Sequence, residues 1–161
     1  MIEWCPFAVR VDGPATKQGG YVTVPSNSAP KRGEIKHSAE GGWEGAHSVL
    51  LNVNVQSSWH FTVGSDRIEQ HYPLSACCWH GNDSDDDGGV RANIDLVGVE
   101  HLGKAGTPLD VPQLYNTIRL TRWMAEQYGF TRYGRYPFQE GVWTLAEHNQ
   151  VGNAPTACPS G

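Results

Sequence analysis

Short runs of alternating or continuous apolar residues predict several strands along this chain. Residues 34–37 are typical of a buried strand that ends at a polar side chain. Residues 58–63 alternate between apolar and polar positions, and a Gly-Ser-Asp turn leads to a partner strand at 67–72, which predicts a hairpin. Residues 94–102 are strongly apolar and rich in β-branched side chains, as expected of a central strand covered on both faces.

A helical period is present in two stretches. The clearer one covers 111–128, where Pro112 suits the first turn and Gly129 supplies the end. We expect the apolar face of this helix to consist of Leu114, Ile118, Trp123, Met124 and Tyr128. Residues 46–53 predict a shorter helix, which its β-branched valines disfavour.

The remaining segments carry turn and loop residues. Residues 1–31 are rich in Gly, Pro, Ser and Thr and predict an irregular lead-in with short strands around 7–11 and 21–24. Residues 82–93 and 144–161 are predicted to be loops. The length of 161 residues, without a repeat or a low-complexity linker, fits one domain. Strands interleaved with helices predict an α/β or α+β fold with a mixed sheet.

Composition and charge narrow the possible partners. The net charge of −5, with no basic stripe, argues against nucleic acid, whose binding depends on clustered Lys and Arg. Mean hydropathy is −0.47 and no apolar run approaches the ~18 residues of a membrane span, so no membrane partner is expected. The N-terminus lacks the basic and apolar regions of a signal peptide, which favours synthesis in the cytoplasm.

Three residues have the chemistry of zinc ligands. The four cysteines are too sparse for a disulfide scaffold, so a metal-bound thiolate is an alternative. His37 ends a predicted strand, while His148 and Cys158 bracket a loop of Gly, Asn and Pro that can bring both to one ion. Three such ligands leave the fourth position of zinc to water, as in catalytic sites. From spacing alone, packed or surface histidines remain the more frequent explanation.

Five ordered motifs add a family resemblance. IKHSAEG, SSWHF, WHGND, NIDLVGVEHLG and EHNQVGNAPTACP follow one another as in type 2 N-acetylmuramoyl-L-alanine amidases, over residues 34–159. This chain resembles that family, which includes phage endolysins, bacterial recycling amidases and animal peptidoglycan recognition proteins. The resemblance implies an α/β fold with a central mixed sheet flanked by helices and a zinc ion in a surface groove.

The resemblance also implies roles for individual residues. The zinc ligands would be His37, His148 and Cys158, and Glu100 of the VGVE motif would be the catalytic base. Thr156 would help to hold the developing oxyanion, without the charge of the Lys that some relatives carry. The alternative for Glu100 is a structural ion pair with an arginine, such as one of those on the predicted 111–128 helix.

Other motif positions are candidates for substrate contact. Trp79, His80 and Asn82 fall in the WHGND motif, where relatives place a wall of the groove, and core packing is the alternative for Trp79. Trp59 takes a position that is Tyr in some relatives, but an indole cannot act as an acid. We expect His60 to be structural and the other three histidines to lie at the surface or in packing positions. The acidic turn at 83–88 lacks the closing Glu of a calcium loop and is expected to be solvated.

These features predict a zinc-dependent amidase that cuts the bond between N-acetylmuramic acid and L-alanine in bacterial peptidoglycan. We expect residues 1–161 to be one catalytic domain, a monomer, serving as a phage endolysin that is made in the host cytoplasm and acts on the wall after release. A wall-binding module could follow the domain. The alternatives are a recycling amidase for soluble muropeptides, a peptidoglycan-binding protein without activity, and a structural zinc, which would need a fourth protein ligand.

Overall fold

A computed structural model describes residues 2–21, 31–81, 91–151 and 158 of the chain. Within these ranges the chain forms nine strands and three α-helices. The strands are β1 Val9–Arg10, β2 Gln18–Tyr21, β3 Gly33–Ser38, β4 Phe61–Val63, β5 Ile68–Gln70, β6 Ala76–Cys78, β7 Leu96–His101, β8 Tyr133–Arg135 and β9 Trp143–Glu147. The α-helices are α1 Trp43–Leu51, α2 Ala92–Asp95 and α3 Val111–Gln127. Two 3₁₀ turns lie at Ala15–Lys17 and His148–Gln150.

One mixed sheet organises these elements. Its seven strands follow the order β1-β5-β4-β7-β3-β9-β8. The strands β4, β7, β3, β9 and β8 are all parallel, whereas β5 is antiparallel to β4 and pairs in parallel with β1. A separate antiparallel pair consists of β2 and β6. The predicted mixed α/β architecture and the hairpin of β4 and β5 are therefore confirmed.

The two faces of the sheet have different coverings, because successive side chains of a strand point to opposite sides. On the first face, which we call the α3 face, valines and Phe61 of the central strands pack against Leu120, Trp123 and Met124 of α3. On the second, which we call the site face, Ile35 packs in a smaller apolar cluster with Ala92, Leu96, Ala146 and Val151. A third cluster joins α1 to the β6 region through residues that include Leu50, Trp59 and Tyr72.

Helix α3 confirms the helix predicted at 111–128, but it buries a different face. Leu114 and Ile118 are 47% and 59% exposed, so their place on the predicted apolar face is wrong. Gln113 and Thr121 are buried instead, because both find hydrogen-bond partners in or beside the sheet. The Gln113 amide donates to two main-chain carbonyls, and the Thr121 hydroxyl donates to the Glu34 carboxyl group.

Several predicted boundaries also change. The loop predicted at 144–161 is wrong for its first residues, since β9 covers Trp143–Glu147 and pairs with β3 inside the sheet. The central strand begins at Leu96 because residues 94–95 belong to α2, and residues 92–93 of the predicted 82–93 loop lie in the same helix. Strand β4 starts only at Phe61, and α1 begins and ends slightly before the predicted 46–53. Residues 22–24 and 82–90, which hold part of a predicted strand and most of a predicted loop, lie outside the described residues.

The described part of the lead-in is tied to the rest of the fold. Strand β1 extends the sheet beside β5, and Cys5 is buried in the α3-face core. The Lys17 ammonium group donates hydrogen bonds to Val49 O and Leu50 O at 2.7 and 2.8 Å, at the C-terminal end of α1. A cation is favourable there because the helix dipole and the unpaired carbonyls are negative. No helix in the described ranges is both long and apolar enough to cross a membrane.

Candidate metal centre

Two parallel strands bring His37 and His148 to one edge of the sheet. In the register of β3 and β9, Lys36 lies opposite Glu147, so His37, which is still in β3, and His148, the first residue after β9, lie side by side. The two Nδ1 atoms are 3.1 Å apart, and the ring centroids are separated by 4.5 Å. The side chain of His37 lies on the site face, two residues after Ile35.

Cys158 completes a group of three donors. Its Sγ accepts a hydrogen bond from the Ser38 N–H at 3.1 Å, which fixes the sulfur next to the end of β3. The donor atoms of His37, His148 and Cys158 all lie within 4.8 Å of one another. Tetrahedral zinc, with bonds of about 2.0–2.3 Å, places its ligand atoms roughly 3.3–3.6 Å apart, so the group fits zinc after a movement of about 1 Å. No fourth His, Cys, Asp or Glu joins this group in the described ranges.

The protonation of the three residues suits a metal. Burial, followed by the neighbouring His80 and His148, holds the pKa of His37 well below its usual value. Burial also lowers the pKa of His148. Both imidazoles are therefore neutral near pH 7 and keep a lone pair for a cation. Burial raises the pKa of the Cys158 thiol although the Ser38 N–H opposes the shift, so binding of a metal would release the thiol proton.

Glu100 lies directly beside His37 in the sheet. The two residues are register partners of β7 and β3, and both side chains belong to the site face. Burial, followed by the negative charge of Glu40, raises the pKa of Glu100 to about 8. Its Oε2 is buried and has no hydrogen-bond partner among the described residues. A carboxyl group with a raised pKa at a polar cluster is a candidate for proton transfer.

The arginine alternative for Glu100 is not supported. Arg119 places its guanidinium group 3.7 Å from the ring centroid of Phe7. Arg122 forms an ion pair with Glu126 at 2.8 Å on the exposed side of the same helix. Both arginines thus have partners other than Glu100, and Glu100 takes part in no ion pair within the described residues.

Glu40 is a neighbour of the site that the sequence did not indicate. Its backbone takes a φ of +54°, unusual for a residue other than glycine, and its Oε1 accepts the Ala105 N–H at 2.9 Å. This geometry holds a second carboxylate near Glu100. Only the turn after β3 creates the proximity, so no sequence motif could have revealed it.

The residues predicted to contact the substrate differ in how far they are buried. Trp79 is half-buried, and Trp59 is 3% exposed, with its Nε1 donating to the Thr62 hydroxyl at 2.8 Å. A buried indole offers a substrate little surface, so the structure gives Trp59 a packing position. His80 is also buried, at 6% exposure, and its Nδ1 lies 3.4 Å from His37 Nε2. Thr156 and Asn82 lie outside the described residues.

The other histidines occupy packing positions. His60 is fully buried, accepting the Gly98 N–H and donating to Ala76 O, which agrees with its predicted structural role. His71 and His101 are buried and bonded to threonine hydroxyls. His47 on α1 pairs with Glu69 on β5, and 2.6 Å separates His47 Nε2 from Glu69 Oε2.

Gly98 is a further residue that sequence reasoning overlooked. A Cβ atom at this position would lie 2.5 Å from His80 Cγ, so only glycine lets the imidazole rest on the central strand. A glycine inside an apolar, β-branched run is itself a signal of such a close approach. The VGVE motif of the sequence contains this signal.

A cavity borders His37, one of the three donors. It has a volume of about 240 Å³ and is bordered by His37 and Ser38 on β3, by Glu147 on β9 and by the segment from Lys104 to Leu109. Lys36 and Lys104 provide positive charge along this border.

Comparisons with known proteins agree with this arrangement. Residues 22–161 match the family model of N-acetylmuramoyl-L-alanine amidases. Over 77 residues, the chain is 39% identical to the N-acetylmuramoyl-L-alanine amidase XlyA of Bacillus subtilis (strain 168), covering 47% of this chain and 23% of XlyA. A stretch of the same length is 34% identical to the N-acetylmuramoyl-L-alanine amidase CwlH of that organism and covers 28% of it. The matched stretch thus spans about a quarter of the length of these relatives.

Solved structures show the same fold. A selenomethionine derivative of AmpD superimposes with a TM-score of 0.72 at 18% identity, covering 99% of this chain and 91% of AmpD. The catalytic domain of XlyA gives a TM-score of 0.58 at 20% identity, over 88% of this chain and 84% of that domain. At these identities the likeness establishes the architecture of the sheet and its helices.

Proposed function

Since this chain belongs to the N-acetylmuramoyl-L-alanine amidase family, we propose that it hydrolyses the amide bond between N-acetylmuramic acid and L-alanine in bacterial peptidoglycan. The observation that carries the proposal is the convergence of His37, His148 and Cys158 at one edge of the sheet, with their donor atoms within 4.8 Å. The cofactor of the proposal is zinc, because two imidazoles and a thiolate with an open fourth position form a typical catalytic zinc set.

The chemistry follows from the residues around this position. A bound zinc ion supplies an activated water molecule and polarises the scissile carbonyl. Glu100 accepts the proton of the attacking water and passes it to the leaving nitrogen of L-alanine. Its buried, unpartnered Oε2 and its place beside His37 support this role. The positive charge of the ion would favour the ionised carboxylate and so offset the burial that raises its pKa.

Further residues complete the proposal. Thr156 stabilises the oxyanion that develops on the carbonyl, with a hydroxyl and not a charged group. Trp79 and Asn82 contact the substrate from the WHGND segment. His80 and Trp59 are both buried, so the proposal gives neither of them a contact with the substrate. His80 instead lies beside the metal-ligand candidate His37.

The biological setting we propose is lysis of a bacterial host by a phage endolysin that is made in the host cytoplasm and acts on the wall. Support comes from solved relatives described as a mutant endolysin from Bacillus subtilis and as the catalytic domain of XlyA. The proposed working form is a monomer that binds peptidoglycan and needs no second protein. A muropeptide-recycling amidase is the second candidate, supported by the likeness to AmpD.

The test is digestion of purified peptidoglycan by the zinc-loaded protein. A new free amine on L-alanine would establish the bond that is cut, whereas release of reducing sugar or of other amines would contradict the proposal. Cys158→Ser should lose hydrolysis while the folded protein keeps its affinity for the wall. Retained hydrolysis in that variant would exclude the proposed ligand set. Turnover of intact wall against turnover of soluble anhydro-muropeptides separates the endolysin from the recycling enzyme.

A further inference from the structure

His80 makes a specific contact with a metal-ligand candidate. Its Nδ1 lies 3.4 Å from His37 Nε2, and the two rings meet edge to face with centroids 5.4 Å apart. The opposite ring nitrogen of His37, Nδ1, is the one that lies 3.1 Å from His148 Nδ1. The imidazole of His37 therefore stands between the donor group and His80, with one nitrogen directed to each.

The position of His80 is fixed by two further residues. The side-chain oxygen of Asn93 accepts the N–H groups of His80 and Gly81 at 2.9 and 2.7 Å, which fixes the backbone of this turn. The His80 side chain then packs against Gly98 of the central strand, where an added Cβ would lie 2.5–3.0 Å from His80 Cγ, Cδ2 and Cβ. Few alternative orientations are open to a ring held at its backbone and on one face.

The placement of protons links His80 to the metal. A metal ion on Nδ1 of His37 leaves the single proton of that ring on Nε2, which must then donate. The only atom that the contact offers as an acceptor is Nδ1 of His80, so in the metal-bound state His80 carries its own proton on Nε2, a buried nitrogen that makes no hydrogen bond within the described residues. Partners of this kind fix the tautomer and the orientation of a metal-bound histidine.

We propose that His80 is a positioning residue that accepts a hydrogen bond from His37 and thereby holds His37 Nδ1 toward the metal. The inference rests on the zinc site of the proposed function but not on the reaction or on its substrate. It replaces the substrate contact expected for His80 with a role behind the ligand, in a turn that Asn93 and Gly98 prepare.

Zinc affinity of purified variants, measured by competition with a chelator, tests the role. His80→Leu fills much of the space but removes the acceptor, and we expect it to weaken zinc binding by about 10–100-fold. His80→Asn can present an amide oxygen near the position of Nδ1 and should recover most of that loss. His71→Leu is the matched control, because His71 is equally buried and hydrogen-bonded but does not touch His37. It should bind zinc as the unmodified protein does.

Two results would overturn the inference. One is a folded His80→Leu variant with unchanged zinc affinity, and the other is a His80→Asn variant that binds zinc as weakly as His80→Leu, which would assign the effect to packing. Circular dichroism reports whether each variant folds. A zinc-loaded protein that does not cut peptidoglycan would refute the proposed amidase and leave the His80 result standing, whereas an unmodified protein that binds no zinc would refute the metal site itself.

A spectroscopic measurement needs no variant. In the zinc-loaded protein, the ¹⁵N chemical shifts of the histidine side chains should show His80 with its proton on Nε2 and a bare Nδ1. A proton on Nδ1 of His80 in that state would contradict the inference, since both nitrogens of the contact would then be donors. This result decides the matter if His80→Leu does not fold.

Discussion

Glu34 offers a quantitative test of how this fold accommodates a buried acid. Its side chain is fully buried on the α3 face and accepts hydrogen bonds from the Thr121 hydroxyl at 2.7 Å and from Trp143 Nε1 at 3.1 Å. Burial is the largest cause acting on its pKa and raises it above the usual 4.5, although both hydrogen bonds act in the opposite direction. The folded protein therefore holds a proton on Glu34 more tightly than the unfolded chain does.

The sign of the pH dependence follows from this shift. A group with a raised pKa in the folded state contributes its full stability below pH 4.5 and loses it as the pH rises through the folded-state pKa. Over that window the free energy of unfolding should fall by up to about 1.4 kcal/mol per pH unit, the value for one proton. Glu34→Gln removes this loss, and its amide can still accept from Trp143 and donate to the Thr121 hydroxyl.

We expect Glu34→Gln to become progressively more stable than the unmodified protein as the pH is raised above about 4.5. Urea denaturation at several pH values measures the difference, in which the buried histidines cancel because they are common to both proteins. Glu126→Gln is the control, since it removes only an exposed ion pair with Arg122, which contributes little to stability in water. A difference that stays constant with pH, or that favours Glu34 at high pH, would refute the reasoning.

Three further substitutions test other parts of the structure. Gly98→Ala should cost about 1–3 kcal/mol in thermal denaturation, because its Cβ would lie 2.5 Å from His80 Cγ, and an unchanged melting temperature would contradict this contact. Lys17→Met should cost about 1.5–3 kcal/mol in urea denaturation, since the two carbonyls at the end of α1 lose a charged donor; a variant as stable as the unmodified protein would show that water replaces the ammonium group. Glu100→Gln should lower the rate of peptidoglycan hydrolysis by about 10²–10⁴-fold with zinc still bound, and near-normal turnover would remove Glu100 from the reaction.

Much of the central architecture could be predicted from local pattern. The buried strand before His37, the apolar strand that carries Glu100 and the helix at 111–128 all occur in the structure. Each has a strong local signal, namely a run of β-branched residues or a helical period with Pro at its start and Gly at its end. The ordered motifs likewise identified the family and the group of His37, His148 and Cys158, which the fold brings together.

The interactions of polar residues could not be predicted in this way. Residues 144–147 fall in the predicted loop at 144–161, yet they belong to β9 because β3 offers them a parallel partner far away in the sequence. On α3, Thr121 is buried and Ile118 is exposed, because the sheet beneath the helix presents the Glu34 carboxyl group.

Partners that are distant in the sequence also decide the arrangement of the candidate metal centre. The sequence by itself determined which residue types could hold a metal, since donor chemistry belongs to each side chain. Only the tertiary structure decided that His80 lies behind His37 and that Glu40 acts on Glu100. Apolar residues are buried wherever they remove area from water, but a buried polar group needs a specific partner at hydrogen-bond distance. Those partners are distant in the sequence, so local periodicity carries no information about them.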